Sequence, residues 1–518
     1  MKLKAANDLQ IQTWIQQKRT FICFGAGSVL QELCQRTGLE KHIKWIADNN
    51  PGLWGSIYEI KGVKIPVKAP EQADFSGKEI GLLTTTYHMQ VKQQVEELSN
   101  WNILDRAYYF PSQEDKNYMR FAWLLKRLKP QNKMIFRSGL ERYVPGFDFS
   151  DNAKALFDYM ITQGYDKTYK LIWYVHAPED YPQLKSMKNV SAVCYEWGKS
   201  NSLKENFQYF YHLCTAKYLF FTDTHFWLRY CNKGQVRVNL WHGCGFKDRK
   251  GKGGPCGRNY DYMTVVSPLY ADIHAKEYGV EREKVIDTGL AKEDLLFQPP
   301  KEKLSSLLHV AEAKTYVFWL PTFRMAAEGL ERLNEYELDS DTGLPIITTR
   351  KKAEQLNCFL EEHDMVMIIK LHPVQRNSII SHLKLSRISV LENQDIASMG
   401  FQINTLLSKA DALISDYSSV AVDYMLLDRP LAFMLEDVEQ YQESRGFVFD
   451  NIHDYLPGAE LYTYEDLEGF LADVAEGKDS TSEKRKRLIK KMHSHQDGNN
   501  CKRILEAVGI RKSEEKKA

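Results

Sequence analysis

"ADALISDYSSVAVDYMLLDRPLAFM", residues 410–434, joins two short apolar runs through a polar turn and a mixed stretch. Residues 412–414 are apolar without interruption, as in a strand covered on both faces. The run stops at Ser415-Asp416, and "YSSVAVDYMLL" then has the make-up of a helix. Pro430 precedes "LAFMLED", which reads as the next strand. Strand, turn, helix and strand of like kind form the repeating unit of a parallel α/β sheet. Ser418 and Ser419 fall at the turn. There they either cap the helix, as serine commonly does, or offer hydroxyls beside free backbone N–H groups to an anion.

The same rhythm extends upstream through "TYVFWLPTFR", "MVMIIKLHP" and "ISVLEN". In an open α/β sheet, ligands bind at the carboxyl ends of the strands. Those ends carry Thr322 with Arg324, Lys370 with His372, and Asp416 with the two serines. A single polar strand end is ordinary, but three in one sheet point to a phosphate-binding crevice. A charged connection over residues 298–313 separates this set from an earlier one, which includes "KMIFRSG", "KLIWYVH", "AKYLFFTDTH", "VRVNLWHG" and "KVIDTGL". A first set, "TFICFGAGS", "HIKWIADNNP", "VKIPV" and "EIGLLTTT", opens the chain.

These divisions predict an N-terminal Rossmann-like domain over 1–112 and a basic amphipathic linker helix over 113–132. An α/β domain over 133–300 and a second over 314–511 with C-terminal helices follow, and 512–518 is a disordered tail. In the linker, Phe121, Leu124, Leu125 and Leu128 share one helical face beside Arg120, Lys126, Arg127 and Lys129. Such a helix lies on an anionic membrane or, more simply, packs its apolar face on a domain.

The 518 residues exceed one ordinary core. A net charge of +1 gives no overall attraction to nucleic acid. Nine cysteines without a C-x-x-C pair fit free thiols in a reducing compartment. The N-terminus lacks a signal core, and no apolar run approaches the about 20 residues that span a bilayer. The expectation is a cytoplasmic protein.

His242 also ends a strand, and Gly243 and Gly245 let the backbone turn tightly after it. It has no ligand partner spaced as a metal site needs, nor do His493 and His495. A neutral histidine at a strand end suits general-base work on a hydroxyl. Lys247, Arg249 and Lys250 after it would hold a polyanionic acceptor, or else form a solvated loop. In the first unit, Gly25, Gly27 and Asp48 are spaced like a dinucleotide fingerprint, but Leu30 stands at the third glycine position.

Six segments together carry a resemblance. "WHGCGFK" resembles the W-H-G-T-P-x-K motif of the CDP-glycerol:poly(glycerophosphate) glycerophosphotransferase family, the teichoic acid polymerase-like enzymes. "LPTFR", "KLHP", "ISDYSSVAVDYMLLDRPLAFM", "RGFVFD" with "LPGAELYTYEDL", and "HQDGNNCKRI" resemble its other motifs in family order. "ADNNPGLWG" with "GVKIPV" is similar to Rossmann-like modules attached to cell-surface polysaccharide enzymes. The resemblance implies a glycosyltransferase-B-like pair of facing Rossmann-like domains. It implies transfer of glycerol phosphate or ribitol phosphate from a CDP-activated donor to a hydroxyl of a polyol-phosphate or glycan polymer, with release of CMP, in wall or capsule synthesis at the cytoplasmic face of the cell membrane.

His242 is then the acceptor-activating base and His372 its catalytic partner. His372, Ser418 and Ser419 bind the donor diphosphate, with Thr322, Arg324, Lys370 and Asp416 beside them. No cofactor is firmly implied: a divalent cation is compatible with the chemistry, NAD or S-adenosylmethionine in the first unit is disfavoured, and an oligomer is compatible with all of this. Cys244 and Gly245 replace the family's Thr and Pro, Met325 follows "LPTFR" where an acid is common, and "GLAKED" has Lys292 where G-x-P-R-x-D has arginine. These departures bear on the acceptor side. Two rivals remain: a nucleotide-sugar glycosyltransferase on the same scaffold, and a nucleotide- or NAD-sensing protein built on "FGAGS".

Overall fold

The computed structural model describes residues 2–511 other than 73, 75–78, 86–90, 92, 93, 97, 99, 100, 102–105, 139–147, 223–225, 249–259, 323–339 and 372–378. Three sheets, parallel except for one edge pair, follow one another along the chain. The first runs, in spatial order, Lys2–Ala5, Arg106–Tyr109, Ile80–Leu83, Phe21–Phe24, Ile43–Ala47, Val63–Lys68 and Ile57–Ile60, with only the last pair antiparallel. The second is Val190–Cys194, Lys170–Val175, Gln131–Arg137, Ala216–Phe221, Val236–Asn239, Tyr262–Thr264 and Val285–Ile286. The third is Ile388–Val390, Met365–Ile369, Thr315–Trp319, Ala412–Ser415, Leu431–Met434 and Ala459–Leu461. Central strands such as Ala412–Ser415 and Met365–Ile369 are buried at every position, because helices cover both faces.

The basic helix spans Gln113–Leu125, shorter than the 113–132 expected, and the next strand already begins at Gln131. Ser112 caps it and pairs with Asp115 in a capping box. Tyr118 packs on Phe210 with ring centroids 5.3 Å apart, and Phe121 meets Phe207 edge-on at 5.4 Å. The Asp115 carboxylate accepts from Tyr230 Oη at 2.7 Å and pairs with Arg229 at 3.0 Å. The apolar face of this helix therefore belongs to the second sheet's layer. Among the described residues no helix is long and apolar enough to cross a membrane.

One apolar core runs through the second and third units without a break, joining Leu219 and Ile135 of one sheet to Phe318, Leu413 and Phe433 of the other. Phe246 touches Phe433 with centroids 5.9 Å apart, and Tyr270 touches Phe449 at 6.2 Å. The closing helices return to the second unit. Cys501, Ile504 and Leu505 of helix Asn500–Ala507 share a core with Ala153 and Leu156 of helix Asp151–Thr162. Asp294 accepts from the first N–H groups of that closing helix, Asn500 N and Cys501 N, each at 2.8 Å. Both bonds are buried, so their loss is not repaired by water. Asp294→Ala is expected to lower stability by about 2 kcal/mol, read as a lower thermal midpoint with earlier proteolysis within residues 495–511. An unchanged midpoint contradicts this capping role.

Candidate active site

The strand Val236–Asn239 delivers a loop whose backbone is held at almost every residue. Thr264 Oγ1 donates to Leu240 O at 2.9 Å, and Trp241 N donates to Asn239 Oδ1 at 2.9 Å. Asn152 Nδ2 donates to Trp241 O at 2.9 Å, and Lys292 Nζ donates to His242 O at 2.7 Å. Trp241 takes a φ of +51°, a left-handed conformation uncommon for an aromatic residue. Its indole packs on Tyr278 at 4.5 Å and on the imidazole of His242 at 4.3 Å. His242 itself is exposed at this strand end.

The loop then crosses to the third sheet's unit. A Cβ on Gly243 would lie 2.9 Å from Ser419 Cβ, and one on Gly245 would lie 3.1 Å from it, so both glycines let the "WHG" loop touch the "SDYSS" turn. Asp248 N donates to Gly446 O at 3.0 Å, Val448 N donates to Phe246 O at 2.8 Å, and Lys247 bridges Phe447. Lys247 Nζ donates to Thr322 Oγ1 at 3.2 Å, and that hydroxyl donates to Asp416 Oδ1 at 2.5 Å. Thr322 N donates to Asp416 Oδ2 at 2.7 Å. Lys247, expected beside an acceptor, therefore reaches into the other half. Thr322 and Asp416 form a buried link that shapes the crevice wall.

Ser419 stands at the N-cap of helix Val420–Tyr424 in helical backbone, φ −61° and ψ −19°, and makes no side-chain cap bond. The capping alternative therefore does not describe it. Lys370 follows the strand Met365–Ile369, and burial pulls its pKa down to about 8. Four expected site residues, His372, Arg324, Arg249 and Lys250, lie outside the described residues, as do Met325 and the 512–518 tail.

Two parallel sheets whose strand-end loops meet at Gly243 and Ser419 define the arrangement, and residues 119–509 match the CDP-glycerol:poly(glycerophosphate) glycerophosphotransferase family. The chain belongs to that family. It is 27% identical over 321 residues to the teichoic acid ribitol-phosphate polymerase of Staphylococcus aureus, covering 58% of this chain and 58% of that one. It is 32% identical over 209 residues to the teichoic acid glycerol-phosphate primase of Bacillus subtilis, covering 40% of this chain and 48% of that one. The chain thus spans less than two thirds of the length of either relative. The solved structure of the wall teichoic acid polymerase TagF superposes with a TM-score of 0.56 at 20% identity, covering 82% of this chain and 96% of that one. That likeness is one of fold, the glycosyltransferase-B-like pair.

Within this member of the glycerophosphotransferase family, three groups beneath the loop escaped the sequence reading. Lys292, noted only as a departure, pairs with Asp423 Oδ2 at 3.1 Å as well as with His242 O. Burial works against its ammonium, but the carboxylates of Asp423 and Asp151 outweigh that and hold its pKa above the ordinary lysine value. Burial pushes Asp151 up to about 6, opposed by Lys292. Asn152 joins them, accepting from Lys292 N at 2.9 Å while its amide holds Trp241 O. Cys244, where the family motif breaks, is fully buried in the shared core, and burial pushes its thiol pKa well up. Its side chain is a packing group.

In the first unit Gly25 has a φ of +110°, and a Cβ there would lie 3.0 Å from Thr84 O. Asp48 Oδ2 accepts from Ala26 N at 2.8 Å and Oδ1 accepts from Asn50 N at 2.9 Å. The carboxylate that a dinucleotide fingerprint would offer to a ribose thus already holds the glycine turn. Three glycines can be ranked from their surroundings. Gly243→Ala is expected to cost about 1–3 kcal/mol through overpacking against Ser419. Gly25→Ala falls in a similar range of about 1–3 kcal/mol through backbone strain. Gly27→Ala, with nothing within 4 Å of the added carbon, leaves stability unchanged. Thermal midpoints of the three variants check the order, and a Gly27→Ala loss as large as that of Gly243→Ala contradicts it.

Proposed function

We propose that the protein transfers a polyol phosphate, glycerol phosphate or ribitol phosphate, from a CDP-activated donor to a hydroxyl acceptor in teichoic-acid or related wall-polymer synthesis. The observation that carries this reading is the contact of the His242 loop with the Ser419 turn at the facing ends of two parallel sheets. His242 takes the proton of the acceptor hydroxyl. The acceptor oxygen then attacks the polyol-bearing phosphorus, the new O–P bond forms, and the P–O bond to the CMP phosphate breaks. CMP leaves with that electron pair. Ser418, Ser419 and Lys370 supply hydroxyl and cationic partners to the diphosphate, whose leaving half gains negative charge as the bond opens.

The acceptor is a polyol-phosphate or glycan polymer, and the protein meets it at the cytoplasmic face of the cell membrane. The names of the relatives, which include both ribitol- and glycerol-phosphate enzymes, support a CDP-polyol over a nucleotide sugar.

Three experiments test the reading. Purified protein incubated with CDP-glycerol, CDP-ribitol and a panel of UDP-sugars should release CMP from one of the first two, and release of UDP instead establishes the glycosyltransferase alternative. His242→Ala should lower turnover by about 10²–10⁴-fold with CDP affinity retained. A variant of full activity removes His242 from the role of base.

The third experiment uses pH. Burial sets the Lys370 pKa at about 8, so its ammonium is present below that pH and lost above it. A bound diphosphate favours the charged form, so binding takes up a proton above pH 8. Affinity for CDP, measured by calorimetry, should weaken by about tenfold per pH unit above that point. Lys370→Met should bind weakly with no such slope. The same slope in that variant assigns the titration to another group.

A further inference from the structure

The reaction scheme gives no part to Lys292, a buried cation beneath the His242 loop. The side chain of Lys292 is 12% exposed, and its ammonium donates to His242 O at 2.7 Å and pairs with Asp423 Oδ2 at 3.1 Å. His242 belongs to the second sheet's unit. Asp423 belongs to helix Val420–Tyr424, which begins directly after the two serines. One ammonium therefore joins the loop of the base to the helix of the diphosphate turn.

The lysine is itself anchored. Its N–H donates to Asn152 Oδ1, and the amide of the same asparagine donates to Trp241 O. The carbonyls on both sides of the Trp241–His242 step are thus gripped, one by Asn152 and the other by Lys292. The left-handed backbone of Trp241 is strained and persists only where its surroundings over-determine it. Asp423 is 1% exposed, so its charge depends on the ammonium for compensation.

We propose that Lys292 is a positioning residue of the transfer reaction: by clamping the His242 carbonyl against Asp423 it sets the gap between the base and the serines that receive the diphosphate. This rests on the functional reading above. The ammonium is already engaged by the Asp423 carboxylate and a main-chain carbonyl, with the charge of Asp151 also favouring it, so its charge is spent within the protein rather than on substrate. A shift of the loop by about 1 Å is enough to cost about 10²-fold in rate. Gly243 and Ser419 are already in contact, so a displacement of the loop at Gly243 bears directly on the turn of the two serines. An arginine at position 292 has the charge and reach to make the same two contacts, as the family motif "G-x-P-R-x-D" would place it.

The test compares wild type with Lys292→Met, Lys292→Arg and the double variant Lys292→Met/Asp423→Asn, in which no buried carboxylate at 423 is left uncompensated. Turnover and donor KM for CMP release, CDP affinity by calorimetry, and amide hydrogen exchange over residues 238–248 are read for each. Lys292→Met and the double variant should lose about 10²-fold in kcat, with donor KM and CDP affinity within about threefold of wild type. Lys292→Arg should recover most of the loss. Exchange at residues 241–243 should quicken by about tenfold or more, while the strand Met365–Ile369 is unaffected.

Wild-type kcat in the double variant overturns the proposal. So does a fall in CDP affinity parallel to the fall in kcat. If wild type releases CMP from neither donor, the functional reading fails on its own, and exchange at residues 241–243 then decides Lys292: unchanged exchange in the double variant rejects the clamp.

Discussion

The active arrangement depends on a short crossing of the main chain. Residues 246–248 leave the second sheet's unit and pair with residues 446–448 of the third, so the loop that carries His242 is bonded at one end to each half. Phe246 is buried within this crossing, against Phe433 and Phe449. Burying a large apolar side chain contributes about 1.5–3 kcal/mol, and the core shared by the two halves holds many such residues. Swinging the halves apart as rigid bodies would expose that core. Opening the crevice therefore costs buried apolar contact as well as the main-chain bonds of the crossing.

The "GLAKED" segment ties the remaining parts to this crossing. Leu290 N bonds Glu293, Lys292 reaches the His242 loop and Asp423, Glu293 accepts from Asn500 Nδ2 at 2.8 Å, and Asp294 holds the start of the closing helix. His493 Nε2 lies 2.9 Å from Val422 O, and Ser494 N donates to Val266 O at 2.9 Å. Motifs separated by some two hundred positions are thus neighbours because each satisfies polar groups that another buries.

Much of the fold was legible because buried parallel strands leave continuous apolar runs, and "ALIS", "MVMII" and "TYVFW" are strands where those runs predict them. The strand-end residues were legible for a related reason, since polar side chains following such a run have to stand at the edge of a sheet. Partners were not legible. Asp416 and Asp48 look like ligand-binding carboxylates, yet Asp416 accepts from Thr322 and Asp48 from the glycine turn. Lys292 is one of 69 lysines and arginines, and only its burial against a carboxylate from the other half distinguishes it. Sequence reports residue type and strand position; which charge meets which across a domain boundary depends on tertiary packing.

Helix Asn500–Ala507 has a consequence for how the chain acquires its shape. Cys501, Ile504 and Leu505 complete a core whose other members lie largely between Met134 and Ala291. They emerge from the ribosome only after every strand of the third sheet has been made. The second unit therefore spends the whole synthesis of the third with an apolar face uncovered, and contacts of such long sequence separation form slowly. During that interval the uncovered face is open to chaperone capture or to association with another nascent chain, and the core of the second unit closes only when this last helix docks.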